Sequence, residues 1–195
     1  MRPENLSKKA VISFILFGLA VSLFFNFRNL NNSVIPTNQP ALADSLVGSP
    51  VRLIIEKIGV DATIENVGLT VNGAMGTPKG PEDVGWFSLG VRPGEVGSAV
   101  MDGHYGWKDN TPAVFDELNL LRRGDQVSVL DDDEVITVFV VSDIRIYGED
   151  EDASAVFSST DGGVHLNLIT CEGIWDPVKK SYSGRLVVFT DKVSE

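Results

Sequence analysis

Hydrophobic and polar positions alternate along most of the chain after residue 50, in short runs separated by glycine-rich turns. "VRLIIEKIGV" (51–60) is rich in β-branched residues and passes straight into "DATIENVGL" (61–69). "GSAVMDGHY" (97–105) is a short apolar strand ending at His104. "QVSVL" (126–130), "VHLNLITC" (164–171) and "GRLVVFTD" (184–191) repeat the two-residue period, which places alternate side chains on opposite faces of a sheet. "EVITVFVVSDIRIY" (134–147) has an apolar centre, so it reads as a long strand buried there on both faces. Only "FDELNLLRRGD" (115–125) permits a helical turn or two, stopped at Gly124. About eight strands with no long amphipathic helix predict an all-β domain, an antiparallel sandwich or closed barrel.

The first fifty residues differ. "AVISFILFGLAVSLFFNF" (10–27) carries no charge over eighteen residues. As a helix it would span roughly 27 Å, close to a bilayer's hydrocarbon thickness. Ala41-Leu42-Ala43 resembles a signal-peptide cleavage site but lies far beyond the apolar run. The expectation is therefore an uncleaved anchor over 10–27, with residues 1–9 cytoplasmic because Lys8 and Lys9 precede it. Residues 28–50 read as a linker from their Asn, Ser and Pro content, leaving 51–195 as an extracytoplasmic domain. A lid formed by 31–50 is the alternative.

Charge narrows the function. The net charge is -11. Residues 1–30 are net +3, so the remainder is net -14, and an acidic body of that kind disfavours nucleic-acid partners. One cysteine and two histidines supply no clustered metal-ligand motif. Cys171, alone in the chain, has no intramolecular disulfide partner, although an extracytoplasmic setting favours disulfides. It is either a small buried hydrophobe or a reactive thiol.

His104, Cys171 and Arg185 each fall at the boundary of an expected strand, where side chains reach the mouth of a barrel. A thiolate is the nucleophile, and imidazolium or guanidinium stabilises it. Histidine returns a proton to a leaving amine, and a fixed guanidinium stabilises the oxyanion of acyl transfer. Converging Cys, His and Arg would therefore make an acyl-transfer site.

Those residues carry a family resemblance. Leu168-Ile169-Thr170-Cys171, preceded by Asn167, resembles the Thr-Leu-x-Thr-Cys motif of the sortases, with Asn167 where that family usually has Thr. "GSAVMDGHYGW" resembles the strand presenting the family's histidine, "AVFDELNLLRRGDQVSV" the segment that follows, and the spacing to Arg185 agrees. "DVGWF" and the loop "EGIWDPVKKSYSG" between Cys171 and Arg185 look most like the class E and class F branches. The resemblance implies an eight-stranded sortase β-barrel with short helices, preceded by a transmembrane helix. It implies a membrane-anchored cysteine transpeptidase that cleaves a Leu-Pro-x-Thr-Gly-type signal through a thioester. Partners would be proteins bearing that signal and an amine such as a peptidoglycan precursor or pilin lysine. Cys171 would be nucleophile, His104 general acid and base, and Arg185 oxyanion stabiliser. Thr170 would contact substrate or shape the site, and Trp175 would line the pocket or simply pack.

His165 lies an even six residues before Cys171 on the same expected strand and is read as structural. The acidic runs Asp131–Glu134 and Glu149–Asp152 match no EF-hand-like spacing. They read as solvated turns with no cofactor, calcium being the alternative. Papain-like peptidases place Cys before His, and L,D-transpeptidases carry an arginine two residues after Cys, which "TCEGI" lacks. A thiol hydrolase or an inactive binding module of the same fold are the remaining alternatives.

Overall fold

The computed structural model describes residues 47–194. The expected anchor (10–27) and most of the linker lie outside them, and no helix among the described residues is long and apolar enough to cross a membrane. Eight strands form a closed barrel: β1 (Pro50–Ile55), β2 (Val60–Val67), β3 (Val84–Phe87), β4 (Gly97–Gly103), β5 (Gln126–Asp131), β6 (Ile136–Gly148), β7 (Val164–Asp176) and β8 (Ser181–Lys192). Their order around the barrel is β1-β2-β3-β4-β7-β8-β6-β5, and β5 closes it against β1. The β2–β3 and β4–β7 pairs are parallel, and the others are antiparallel. Closure leaves no edge strand in the barrel among the described residues.

The alternation read from sequence is the alternation observed. Residues pointing inward form the main core, among them Leu53, Met101, Phe139, Leu166, Leu168 and Val188. Phe115, from the loop after β4, completes that core and is fully buried. The helical turn expected over 115–125 is a short 3-10 turn at Leu118–Leu120. The long strand β6 is not fully buried on both faces at its centre. Phe139 and Val141 are buried, while Val138, Val140 and Ser142 between and beside them keep partial exposure. The linker boundary also moves. Residues 48 and 49 already belong to the barrel, because Gly48 and Ser49 donate backbone N–H bonds to the side chains of Asp131 and Asp132.

A second, smaller cluster lies on the barrel's outer face. Val100 (β4), Tyr147 (β6) and Val187 (β8) pack with Val156 of α1 (Ser154–Phe157), the one-turn helix in the β6–β7 loop. Asn167 holds α1 down, its Nδ2 donating to the Val156 carbonyl at 2.6 Å. The residue that departs from the expected motif is thus a buried strut between β7 and the helix that covers the outer face. Its Oδ1 has no hydrogen-bond partner among the described residues.

Candidate active site

Strand register assembles the site. Cys171 on β7 pairs with Arg185 on β8, and Arg185 pairs with Tyr147 on β6. On the other side of β7, Asp102 of β4 pairs with Ile169. Two residues further along both parallel strands, His104 follows β4 beside Cys171. A buried hydrogen bond fixes the intervening position, with Thr170 Oγ1 donating to the Gly103 carbonyl at 2.7 Å. His104, Cys171, Arg185 and Tyr147 therefore lie in one row across four strands, with neighbours about 5 Å apart. The next row reads Asp102, Ile169, Val187 and Arg145.

These rows face outward. Leu166, Leu168 and Thr170 are the inward residues of β7, so Cys171 is on the opposite face. This corrects the expected placement in the barrel mouth: the site is a groove on the barrel's outer wall. Nor does Cys171 end a strand. β7 continues to Asp176 and β8 begins at Ser181, so the expected loop between Cys171 and Arg185 is largely a hairpin. The register breaks between Glu172 and Trp175, just past Cys171. Gly173 sits in that bulge at φ 91°, a conformation that suits glycine.

Two cavities flank the row. The first, about 350 Å³, is lined by Asp102, Ile169, Arg185 and Val187, with Met75 from the β2–β3 loop and Phe157 from α1 among its other walls. The second, about 870 Å³, is lined by Tyr105, Trp107, Asp116, Trp175 and Tyr182 among others. Trp175 is half-exposed there and meets Tyr182 edge-on at 5.1 Å, so it lines a cavity rather than the core. Tyr182 also borders the first cavity and stands between the two.

The hydrogen bonds around the row constrain its chemistry. His104 Nε2 lies 2.9 Å from the Pro78 carbonyl oxygen. That oxygen only accepts, so Nε2 carries the hydrogen and Nδ1 is the nitrogen that exchanges protons. The ring packs on Trp107 at 4.6 Å between centroids. Arg185 Nη1 donates to the carbonyls of Gly184 at 2.8 Å and Tyr182 at 3.3 Å, which anchors one edge of the guanidinium.

Burial pushes the Cys171 thiol above its ordinary range; Arg185 opposes this and Asp102 adds to it. Cys171 therefore rests as a thiol at neutral pH, and any reaction through its sulfur needs a base to take the proton. Burial pushes Asp102 up to about 7, against the opposing pull of Arg185. Tyr182 is also raised, first by burial and then by the Cys171 charge, so its phenol remains a hydrogen-bond donor.

Thr170 is 1 % exposed and turned inward, which puts it behind the groove as a tie between β7 and β4. His165 lies at the far end of β7, where its ring bonds Asp191 at 2.7 Å and Asp161 at 3.0 Å. Its six-residue separation from Cys171 corresponds to roughly 20 Å of strand. In the second acidic run, Glu149 pairs with Lys179, and Glu151 and Asp152 accept backbone N–H bonds. Asp131 of the first run is buried and accepts three backbone N–H bonds, from Gly48, Asp133 and Val135. Sequence reasoning missed Asp102, Tyr147 and Tyr182. Strand alternation from His104 already places Asp102 on the face of His104, which was the available signal.

The comparisons with known proteins agree with this geometry. A family model for the sortase domain matches residues 53–193. Among solved structures, sortase C-1 from Actinomyces oris is 27% identical, with a TM-score of 0.59 over 75% of this chain and 76% of that one. Sortase C1 from Streptococcus agalactiae is 19% identical, with a TM-score of 0.58 over 74% of this chain and 67% of that one. A lid mutant of sortase A from Corynebacterium diphtheriae is 20% identical, with a TM-score of 0.57 over 75% of this chain and 70% of that one. The latter two likenesses bear on the fold alone. No curated protein matches the sequence. The barrel, the matched family and the Cys-His-Arg row converge: the chain belongs to the sortase family of cysteine transpeptidases.

Proposed function

We propose that the protein is a membrane-anchored, extracytoplasmic transpeptidase that cleaves a Leu-Pro-x-Thr-Gly-like sorting signal and passes the acyl group to an envelope amine. The observation that carries the mechanism is the single row of His104, Cys171 and Arg185 beside two cavities. His104 Nδ1 takes the Sγ proton, and the thiolate attacks the carbonyl carbon of the scissile peptide bond. The free N–H groups of Arg185 stabilise the resulting oxyanion. As the C–N bond breaks, His104 returns the proton to the departing amine and leaves a thioester on Cys171. An incoming amine then gives a proton to His104, attacks the thioester, and expels the thiolate.

The cavity at Asp102 and Arg185 is assigned to the acyl donor, whose carbonyl must meet the guanidinium. The aromatic cavity at Trp107 and Trp175 is assigned to the acceptor, which arrives on the His104 side. Thr170 acts by holding Gly103, and so His104, in place. The anchor rests on the uncharged run 10–27, and the class E or class F likeness on "DVGWF" and the hairpin after Cys171. The acceptor class, a peptidoglycan precursor or a pilin lysine, follows from the family.

Mass spectrometry of the domain with a panel of Leu-Pro-x-Thr-Gly and Leu-Ala-x-Thr-Gly peptides tests the reading. The expected product is an acyl adduct on Cys171 that an added amine releases. Cleavage retained by Cys171→Ala would refute it.

A further inference from the structure

Asp102 has no role in the steps above, yet it occupies the floor of the donor cavity one row below Cys171. Its row neighbour is Ile169, and the walls around it are mostly apolar, including Met75, Val156 and Phe157. Among the described residues nothing hydrogen-bonds its carboxyl; the groups that act on it electrostatically are Arg185 and, when ionised, Cys171. The guanidinium is directed instead to the Gly184 and Tyr182 carbonyls. Asp102 keeps partial exposure, so in the empty groove its carboxyl is satisfied by solvent rather than by a protein partner. The other charges lining the cavity are Glu149, which Lys179 pairs at 2.7 Å, and Glu151, so the lining stays acidic after that pair is counted.

We infer that Asp102 is a specificity-determining residue of the acyl-donor groove, where its carboxylate pairs with a basic side chain of the bound sorting signal. This rests on the donor assignment made above. A bound peptide removes water from the groove floor. An apolar side chain over Ile169 would leave the carboxyl both dry and unpaired, which is penalised. An ammonium or guanidinium supplies the missing partner and offsets the acidic excess. Sites built to pair with a polar group discriminate strongly against analogues lacking it. The raised titration of Asp102 in the empty groove fits a group waiting for a countercharge.

The test compares kcat/KM for signal peptides carrying Lys, Gln or Met at each variable position, with wild type and Asp102→Asn. In the wild type, one position prefers Lys over both Gln and Met by about tenfold, a factor suited to one partly desolvated ion pair. In Asp102→Asn that preference collapses to within about twofold. Absence of any Lys preference, or a preference unchanged in the variant, overturns the inference. A second readout does not depend on sorting signals. Cys171 is modified with cationic 2-aminoethyl methanethiosulfonate and with neutral methyl methanethiosulfonate. The ratio of the two rates falls several-fold in Asp102→Asn and is unmoved in Asp133→Asn, a change at an exposed turn. A ratio unmoved by Asp102→Asn overturns the inference. If wild type cleaves no peptide of the panel, the sorting-signal reading fails by itself and the thiosulfonate ratio decides the role of Asp102.

Discussion

Replacing Asp102 by Asn should stabilise the fold, with a gain that grows as pH rises from about 4 to about 7 and is complete above it. The carboxyl titrates at about 7 in the folded chain, against an ordinary value of 3.8. Between those values the folded chain holds a proton that the unfolded chain has released. Wild-type stability therefore falls as pH rises through that window, and above it the full penalty of an ionised Asp102 is present. A tenfold change in proton affinity is ~1.36 kcal/mol, so the upper bound is about 4 kcal/mol. Water entering the cavity lowers this, and ~2–4 kcal/mol is expected. Asn is nearly isosteric and carries no charge. The variant should match wild type near pH 4 and exceed it by about 5–15 °C in Tm near pH 8. His165, whose ionisation also differs between the folded and unfolded chain, is common to both proteins and cancels in the difference. Thermal melts by circular dichroism at pH steps from 4 to 8 measure this directly. A Tm difference that stays constant across that range would show that Asp102 is not a buried, raised carboxyl, and would remove the physical basis given for its place in the groove.

Three further outcomes follow from the same geometry. Thr170→Val removes the buried bond to the Gly103 carbonyl, so stability should fall by about 1–3 kcal/mol in urea unfolding. In the same variant kcat should drop more than KM rises, because the tie sits between His104 and Cys171. Gly103→Ala places a methyl group into the ring of fully buried Phe115, and should destabilise by about 1–3 kcal/mol, read as a lowered denaturation midpoint. Arg185→Lys keeps the charge but loses the fork that reaches both the backbone carbonyls and the oxyanion. Acylation by a sorting-signal peptide should slow about 10²–10³-fold in single-turnover assays, and a change under threefold would argue against the oxyanion role.

Much of the barrel was legible because period-two alternation is a local property. β5, β7 and β8 are each apparent from a short run of residues, but of the three chemistry-bearing residues only His104 lies at a strand boundary, while Cys171 and Arg185 lie inside β7 and β8. What alternation does not reveal is which face is covered. The residues of β7 alternate between Leu166, Leu168 and Thr170 inside and Asn167, Ile169 and Cys171 outside, and both sets contain apolar or buried members. The outer face is covered by α1, a single turn too short to leave a helical period. The site therefore appeared to belong to the barrel mouth when it lies on the wall. β3 was missed for a similar reason: four residues with an internal glycine carry too little pattern. The hairpin after Cys171 was read as a loop because Asp176-Pro177 and the lysines beyond it look like turn chemistry, and they are, but the turn is only residues 177–180. Asp102 went unnoticed because its significance depends on having no partner, which a sequence does not record.

The parallel pairing of β4 with β7 has a consequence for how the protein comes into being. Thr170 meets Gly103 across 67 residues of chain, and β8, which supplies Arg185, is the last strand made. Parallel partners so distant in sequence are slow to find one another, because loop-closure entropy is paid before any contact forms. Cys171 thus lacks His104 and Arg185 beside it until nearly the whole domain has emerged and closed. A chain caught partway holds a lone thiol without a site, so acyl transfer begins only after folding is complete.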